Sequence, residues 1–196
     1  MMAIKNILFT AAAVLALTGC IEASPVNNPP EMTFANLTPV EVNVARVEVR
    51  DDYKPPMQGQ NIEHLFKTPP YKAATTLLKK QLSATGTENI LRAIIEEASV
   101  VREELPVDKG IMGHFSHDPT ERLKAKVLVR FELASESAPD IVLGHAEVLA
   151  KRSKMLYDDM SLNERDHAYF SLTEDLMDDV NDGLGTIVKN TFGKKY

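Results

Sequence analysis

The chain has 196 residues, of which 44% are hydrophobic and 26% are charged, and its formal net charge is −6 at pH 7. These values are typical of a single globular domain of modest size and exclude a generally disordered chain. The acidic balance, together with the lack of a long Lys/Arg cluster in the sequence, argues against nucleic acid as a partner.

The first 19 residues have the pattern of an export signal. Lys5 supplies a basic start, an apolar run follows over about residues 7–17, and small residues precede Cys20, the only cysteine. A membrane-spanning helix needs roughly 20 apolar residues, so this run is too short to cross a bilayer. The pattern predicts a signal peptide over residues 1–19, and an exported chain with one cysteine has no internal disulfide framework.

The four residues that end this segment, Leu17, Thr18, Gly19 and Cys20, resemble the lipobox of bacterial lipoproteins. That resemblance implies diacylglycerol on the Cys20 thiol, cleavage just before it and acylation of the new amino terminus. Several acyl chains hold a protein stably at a membrane, whereas one holds it marginally. The alternative is an ordinary signal peptide with a chance cysteine.

The residue after the cysteine is Ile21, not the Asp that resembles an inner-membrane retention signal in lipoproteins of enteric bacteria. The resemblance therefore implies the periplasmic face of the outer membrane, with the inner membrane as the alternative. Residues 20–39 are rich in Pro and Asn and predict a lipidated N-terminus and flexible tether. Residues 40–196 are expected to form one periplasmic domain.

The domain begins with an alternating segment, residues 40–50, which predicts a strand with a bulge or twist near Ala45 and Arg46. Thr68 precedes two prolines and is expected to cap a helix over about residues 69–84. Residues 91–102 are rich in β-branched residues and predict a strand, with helix as the competing interpretation.

Residues 124–133 and 141–154 alternate strongly and predict a hairpin with one solvent-exposed face. Ser161 with Glu164 three residues later is a capping-box signature that begins a helix of roughly 30 residues. The order of elements predicts an α+β two-layer sandwich: a mainly antiparallel sheet of three to four strands with two helices packed on one face.

The best candidate for a metal site is the segment 113–118, in which His114, His117 and Asp118 offer imidazole and carboxylate ligands. The favoured interpretation of the segment is an ordinary polar turn, so the sequence predicts no metal ion. The acidic residues of the last helix are expected to form its solvated face, because they lack the ligand spacing of a calcium loop. The sequence has no GxSxG or SxxK nucleophile motif, so we expect neither enzymatic activity nor a cofactor.

The last helix carries an apolar stripe that includes Leu176, Val180, Leu184 and Ile187. A helix beside a curved sheet can leave a groove for a lipid tail or a partner helix, and these four residues are the candidate lining. The alternative is that the hydrophobic core takes up the whole stripe. Gly183 and Gly185 lie within the stripe and weaken the helix, which predicts a bend there.

The order of elements and the lipobox are similar to those of outer-membrane accessory lipoproteins, including LptE and the auxiliary lipoproteins of ABC-type lipid transporters. The stretches EHLFKTPPYKAA, IEEASVV and SLNERDHAYF also resemble an uncharacterised group of alphaproteobacterial lipoproteins. These resemblances imply a non-enzymatic accessory of an envelope-assembly or lipid-transport complex. A module that binds a lipid or small apolar ligand and a metal-dependent hydrolase remain the alternatives, and the sequence leaves the oligomeric state open.

Overall fold

The computed structural model describes residues 30–106 and 118–192. The predicted signal peptide, Cys20 and the tether as far as residue 29 lie outside the described residues. His114 and His117 of the candidate metal segment also lie outside them.

The alternating segment at the start of the domain forms two strands in two different sheets, so the prediction of one bulged strand was wrong. β1 (Val40–Val42) pairs in parallel with β3 (Leu82–Ala84), whereas β2 (Arg46–Asp51) joins the larger sheet. The chain turns between them, where the Val44 N–H donates to the Val42 carbonyl. The change of phase near Ala45 therefore marks a change of sheet.

Helix α1 spans Pro70–Gln81 and differs from the prediction at both ends. Pro69, and not Thr68, is the residue before the first helical turn, and no side chain caps the helix. Pro70 has no N–H group, so one of the groups that a cap would satisfy is missing. The helix ends before Leu82 because the residues expected to form its last turn pair with β1 instead.

The main sheet has four strands in the order β2-β4-β5-β6, with β4 at Ile90–Glu104, β5 at Pro119–Ala134 and β6 at Val142–Tyr157. Strand, not helix, is thus the structure of residues 91–102, and the predicted hairpin of β5 and β6 is confirmed. β4 pairs antiparallel with β5, whereas β2 pairs in parallel with β4. The sheet is therefore mainly antiparallel, as predicted.

Helix α2 spans Leu162–Ile187 and continues as a π-helical turn over Val188–Phe192. Ser161 caps it through the predicted capping box, because the Ser161 hydroxyl accepts from the Glu164 N–H and the Glu164 carboxylate accepts from the Ser161 N–H. Among the described residues, we find no helix with the length and hydropathy to span a membrane.

Both helices pack on the same face of the main sheet, and their apolar residues form a single core with the inward side chains of β4, β5 and β6. This arrangement confirms the predicted α+β fold. Part of the expected tether also contacts the domain, since Met32, Phe34 and Leu37 are partly buried against the core. In the described part of the tether, the chain is therefore held on the domain from at least Met32 onward.

Candidate functional site

The candidate metal segment is represented in the structure by Asp118 alone, which is exposed just before the start of β5. Within residues 30–106 and 118–192, no group of three or more His, Cys, Asp and Glu side chains is placed to hold a metal ion. The described residues therefore test neither the candidate metal site at His114, His117 and Asp118 nor the polar turn that the sequence favours.

The acidic residues of α2 lie along its exposed side, and one of them ties the helix to the sheet. The Arg152 guanidinium of β6 donates to the Asp179 carboxylate, with an Nε–Oδ2 distance of 2.6 Å, and this bond raises the pKa of Arg152. Partial burial and the repulsion of Asp175 and Asp182 raise the pKa of Asp178. These acidic residues form a solvated face with a local excess of negative charge.

The candidate groove residues are packed inside the core. Leu176, Val180 and Leu184 are all 0% exposed, and Ile187 is partly buried against the same core. The structure brings the four residues together on one side of α2, but that side faces the sheet. The alternative in which the core takes up the stripe is therefore the observed arrangement.

A small polar cavity lies between β1 and the ends of the two helices, and sequence patterns gave no sign of it. Its volume is about 260 Å³, and its lining includes Gln81, Asn181 and Thr186. Gln81 is 1% exposed, and the Gln81 Nε2 and Asn181 Oδ1 atoms have no hydrogen-bond partner among the described residues. A buried donor and a buried acceptor on one cavity could bind water or a small polar molecule.

Neither helix covers the other face of the main sheet, which carries a ladder of ion pairs. Lys126 pairs with Glu97 at 2.5 Å, and Lys124 pairs with Glu103 at 2.8 Å. Burial opposes ionisation of Glu97, but the hydrogen bonds from Lys126 and Ser99 outweigh it and lower its pKa. The hydrogen bond from Lys124 likewise lowers the pKa of Glu103.

These pairs border a shallow depression of about 540 Å³, which Lys151 and Ser153 of β6 complete. Because charges of both signs alternate over this face, it offers no strongly basic or acidic field to a ligand. We call it the open sheet face, meaning the surface formed by the outward side chains of β2, β4, β5 and β6. The alternation of polar residues in β5 and β6 predicted that one face would be exposed to solvent.

Several large apolar side chains are exposed on β6 and the turn before it. Ile141, Val142 and Leu143 at the tip of the hairpin are 56%, 43% and 55% exposed, and Leu149 in the middle of β6 is 51% exposed. An isolated exposed apolar residue is ordinary, but a run of three at a hairpin tip is a feature of interaction surfaces. The sequence analysis did not single out these residues.

No family model matches the chain, and no curated protein matches its sequence. Among solved structures, it is similar to a minor lipoprotein from Acinetobacter baumannii, with 15% identity, a TM-score of 0.38 and coverage of 75% of this chain and 92% of the other. It is also similar to the rare lipoprotein B from Shewanella oneidensis, with 10% identity, a TM-score of 0.37 and coverage of 76% and 93%. A protein from Xanthomonas campestris has 9% identity, a TM-score of 0.33 and coverage of 75% and 89%. Identities and scores this low do not assign the chain to a family.

Proposed function

We propose that the mature chain is a lipid-anchored bacterial lipoprotein on the periplasmic face of the outer membrane, where it acts without catalysis as an accessory of an envelope-assembly or lipid-transport complex. The observation that carries this proposal is the sequence Leu17-Thr18-Gly19-Cys20 directly after a signal-type apolar run. Cleavage before Cys20 and acylation of its thiol and amino group would supply several acyl chains, which is enough for stable anchoring.

The charge of the mature chain supports an anchor made of lipid. Removal of residues 1–19 takes away Lys5 and leaves 21 basic and 28 acidic residues, a net charge of −7. A body with this charge is repelled by anionic lipid headgroups, so it has no electrostatic means of staying at a membrane. Attachment then depends on Cys20.

The shape of the domain supports a role in binding other macromolecules. The helices cover one side of the main sheet, whereas the outward side chains of β6 on the open sheet face and the hairpin tip at 141–143 are exposed. Exposed apolar side chains surrounded by polar ones are common at protein interfaces. An accessory protein needs such a surface, whereas an enzyme needs converging reactive groups.

Mass spectrometry of the protein purified from membranes tests the anchor. We expect a mature amino terminus at Cys20, with three acyl chains on that residue. An inhibitor of lipoprotein signal peptidase should make the precursor that retains residues 1–19 accumulate. Separation of the two membranes on a density gradient then locates the protein. An unmodified thiol, or a protein released into the periplasm, would overturn the proposal.

The matched control is a chain in which residues 1–20 are replaced by an ordinary cleavable signal peptide, so that the same domain is exported without lipid. If the accessory role requires the membrane, only the anchored form should restore outer-membrane integrity to a strain that lacks the protein. Photo-crosslinking from the open sheet face in intact cells should capture one envelope complex reproducibly. If both forms restore outer-membrane integrity equally, the function does not require the lipid anchor.

A further inference from the structure

Within residues 30–106 and 118–192, β6 is an edge strand of the main sheet and its outer edge is unpaired. Over the 16 residues of Val142–Tyr157, its partner in the described part of the chain is β5, and no strand there pairs with the opposite edge. The register with β5 is unbroken from Gly144 to Leu156. A long and regular edge of this kind presents a row of backbone donors and acceptors to which another strand can pair.

The side chains of β6 on the open sheet face form a sequence that is complementary to itself. His145, Glu147, Leu149, Lys151 and Ser153 alternate along the strand, and all five are exposed. If a second β6 pairs antiparallel with Leu149 at the centre, Glu147 lies opposite Lys151 of the second copy. The two copies are then related by two-fold symmetry, so the Glu147–Lys151 pair occurs twice. The two Leu149 side chains meet on the symmetry axis.

On the side of β6 that faces the helices, the same register places large side chains of one copy across from small side chains of the other. Lys154 then lies opposite Gly144 of the second copy, Arg152 opposite Ala146, and Val148 opposite Ala150. The long basic side chains thus face small residues and have room beside them. They also already have partners in their own copy, since Arg152 binds Asp179 and Lys154 donates to Ser171 at 3.0 Å.

Glu147 and Lys151 are the charges that this register would pair, and neither has an ion-pair partner within 4.0 Å among the described residues. On the neighbouring strand, Lys126 and Arg130 are both paired. Charged side chains on an edge normally keep strands apart. Charged side chains on β6 would therefore disfavour any register of two β6 strands that places like charges across from each other. The register centred on Leu149 instead places a negative charge, Glu147, across from a positive one, Lys151.

We propose that the open edge of β6 is the docking site for a second copy of this chain, joined in antiparallel register about Leu149. The two four-stranded sheets then form one sheet of eight strands, with the helices of both copies on the same side. The exposed Leu149 side chains bury each other at the centre, and two Glu147–Lys151 pairs flank them. The register also places Leu143 level with Met155 of the second copy, and both are exposed.

A disulfide placed on the two-fold axis tests this register in the full-length lipidated protein in its membrane. The Cα atoms of directly opposite residues in antiparallel strands lie about 4.5–5.5 Å apart, which is within the range of a disulfide. Leu149→Cys should therefore give covalent dimers under mild oxidation. The native Cys20 is the only other cysteine, so wild type under the same conditions controls for its contribution.

The matched control is Ser153→Cys, which lies on the same strand and face and is similarly exposed. In the proposed register, the two copies of residue 153 are separated by eight residue steps, or about 27 Å at roughly 3.4 Å per residue. This variant should not crosslink. Equal crosslinking of the two variants would indicate random collision, and no crosslinking of Leu149→Cys, as expected if the two α2 helices keep the copies apart, would also overturn the proposal.

Charge reversal tests the pairing between copies. In the Leu149→Cys background, Glu147→Lys and Lys151→Glu should each lower the crosslinked fraction about tenfold, because each places two pairs of like charges across the interface. The double variant Glu147→Lys/Lys151→Glu restores opposite charges and should recover most of the crosslinking. Circular dichroism confirms that each variant is folded. If the double variant fails to recover, the register is wrong.

Discussion

Two glycines in the last turns of α2 provide a controlled test of how closely that helix packs on the sheet. A Cβ atom added at Gly183 would lie 2.7 Å from Cγ1 and 2.9 Å from Cγ2 of Val148, whereas a Cβ atom added at Gly185 would meet nothing within 4 Å. Both residues belong to the same helix, so Gly→Ala brings the same gain in helix propensity at each. The two substitutions differ in the contact with Val148.

The propensity gain of Gly→Ala in a helix is about 1 kcal/mol. Gly185→Ala should therefore raise the free energy of unfolding by about that amount. At Gly183 the same gain is opposed by overpacking, which costs roughly 1–3 kcal/mol where the neighbour cannot move away. Val148 is a short β-branched side chain and only 6% exposed, so it has little freedom to move. We expect Gly183→Ala to lower the free energy of unfolding by up to about 2 kcal/mol.

The assay is urea unfolding of the mature chain without lipid, followed by circular dichroism, with comparison of midpoints at constant slope. A double variant, Gly183→Ala/Val148→Ala, removes the obstructing methyl groups and should show a favourable coupling between the two sites. If Gly183→Ala stabilises the protein as much as Gly185→Ala does, then α2 lies farther from β6 than these distances require. Close packing of the helix against Val148 would then be refuted.

Three further substitutions test buried and charged groups. Gln81→Met replaces a buried amide whose Nε2 has no partner among the described residues, and it should raise the free energy of unfolding by about 1–3 kcal/mol. A loss of stability would instead show that the amide binds water or another molecule in the adjoining cavity. Glu63→Ala removes a 0% exposed carboxylate that accepts from the Tyr53 hydroxyl at 2.7 Å, and thermal unfolding should show a loss of about 2–4 kcal/mol. Asp178→Asn should stabilise the chain near neutral pH, because the pKa of Asp178 is raised in the folded state and its ionisation opposes folding.

The pH dependence of the last variant has a defined sign. A carboxyl group with a raised folded pKa costs stability above that pKa, and the cost disappears as the pH falls to the unfolded value near 3.8. The advantage of Asp178→Asn should therefore shrink on acidification. Glu164→Gln is the matched opposite, because the Ser161 hydroxyl and N–H lower the pKa of Glu164. That variant should be less stable than wild type near neutral pH and approach it in acid.

The elements whose pattern is local were predictable from the sequence. The capping box at Ser161 and the alternation in β5 and β6 depend on residues that are near neighbours in the chain or in one hairpin. The prediction of helix at residues 82–84 was wrong for a different reason. Those residues continue a helical pattern, but their backbone pairs with β1 about 40 residues away, and a tertiary pairing of that kind leaves no local signal.

The candidate sites differ in the same way: a site made of adjacent residues could be predicted, whereas a site made of residues distant in the sequence could not. The candidate lipobox could be recognised because four adjacent residues carry the resemblance. The cavity at Gln81 and Asn181 could not, because the two amides come from different helices and meet only in the folded chain. The complementary pattern around Leu149 is visible in the sequence once it is known that β6 lies at an edge. That knowledge requires the order of strands, which the sequence analysis did not predict.

The packing of residues 32–37 on the domain limits how far the proposed anchor lets the domain move from the bilayer. An extended chain spans at most about 3.6 Å per residue, so a free tether as far as Pro39 would reach roughly 65–70 Å from Cys20. Because Met32 already contacts the core, the distance from Cys20 to that contact is at most about 43 Å. Two copies joined through β6 would be restrained by two such anchors at once.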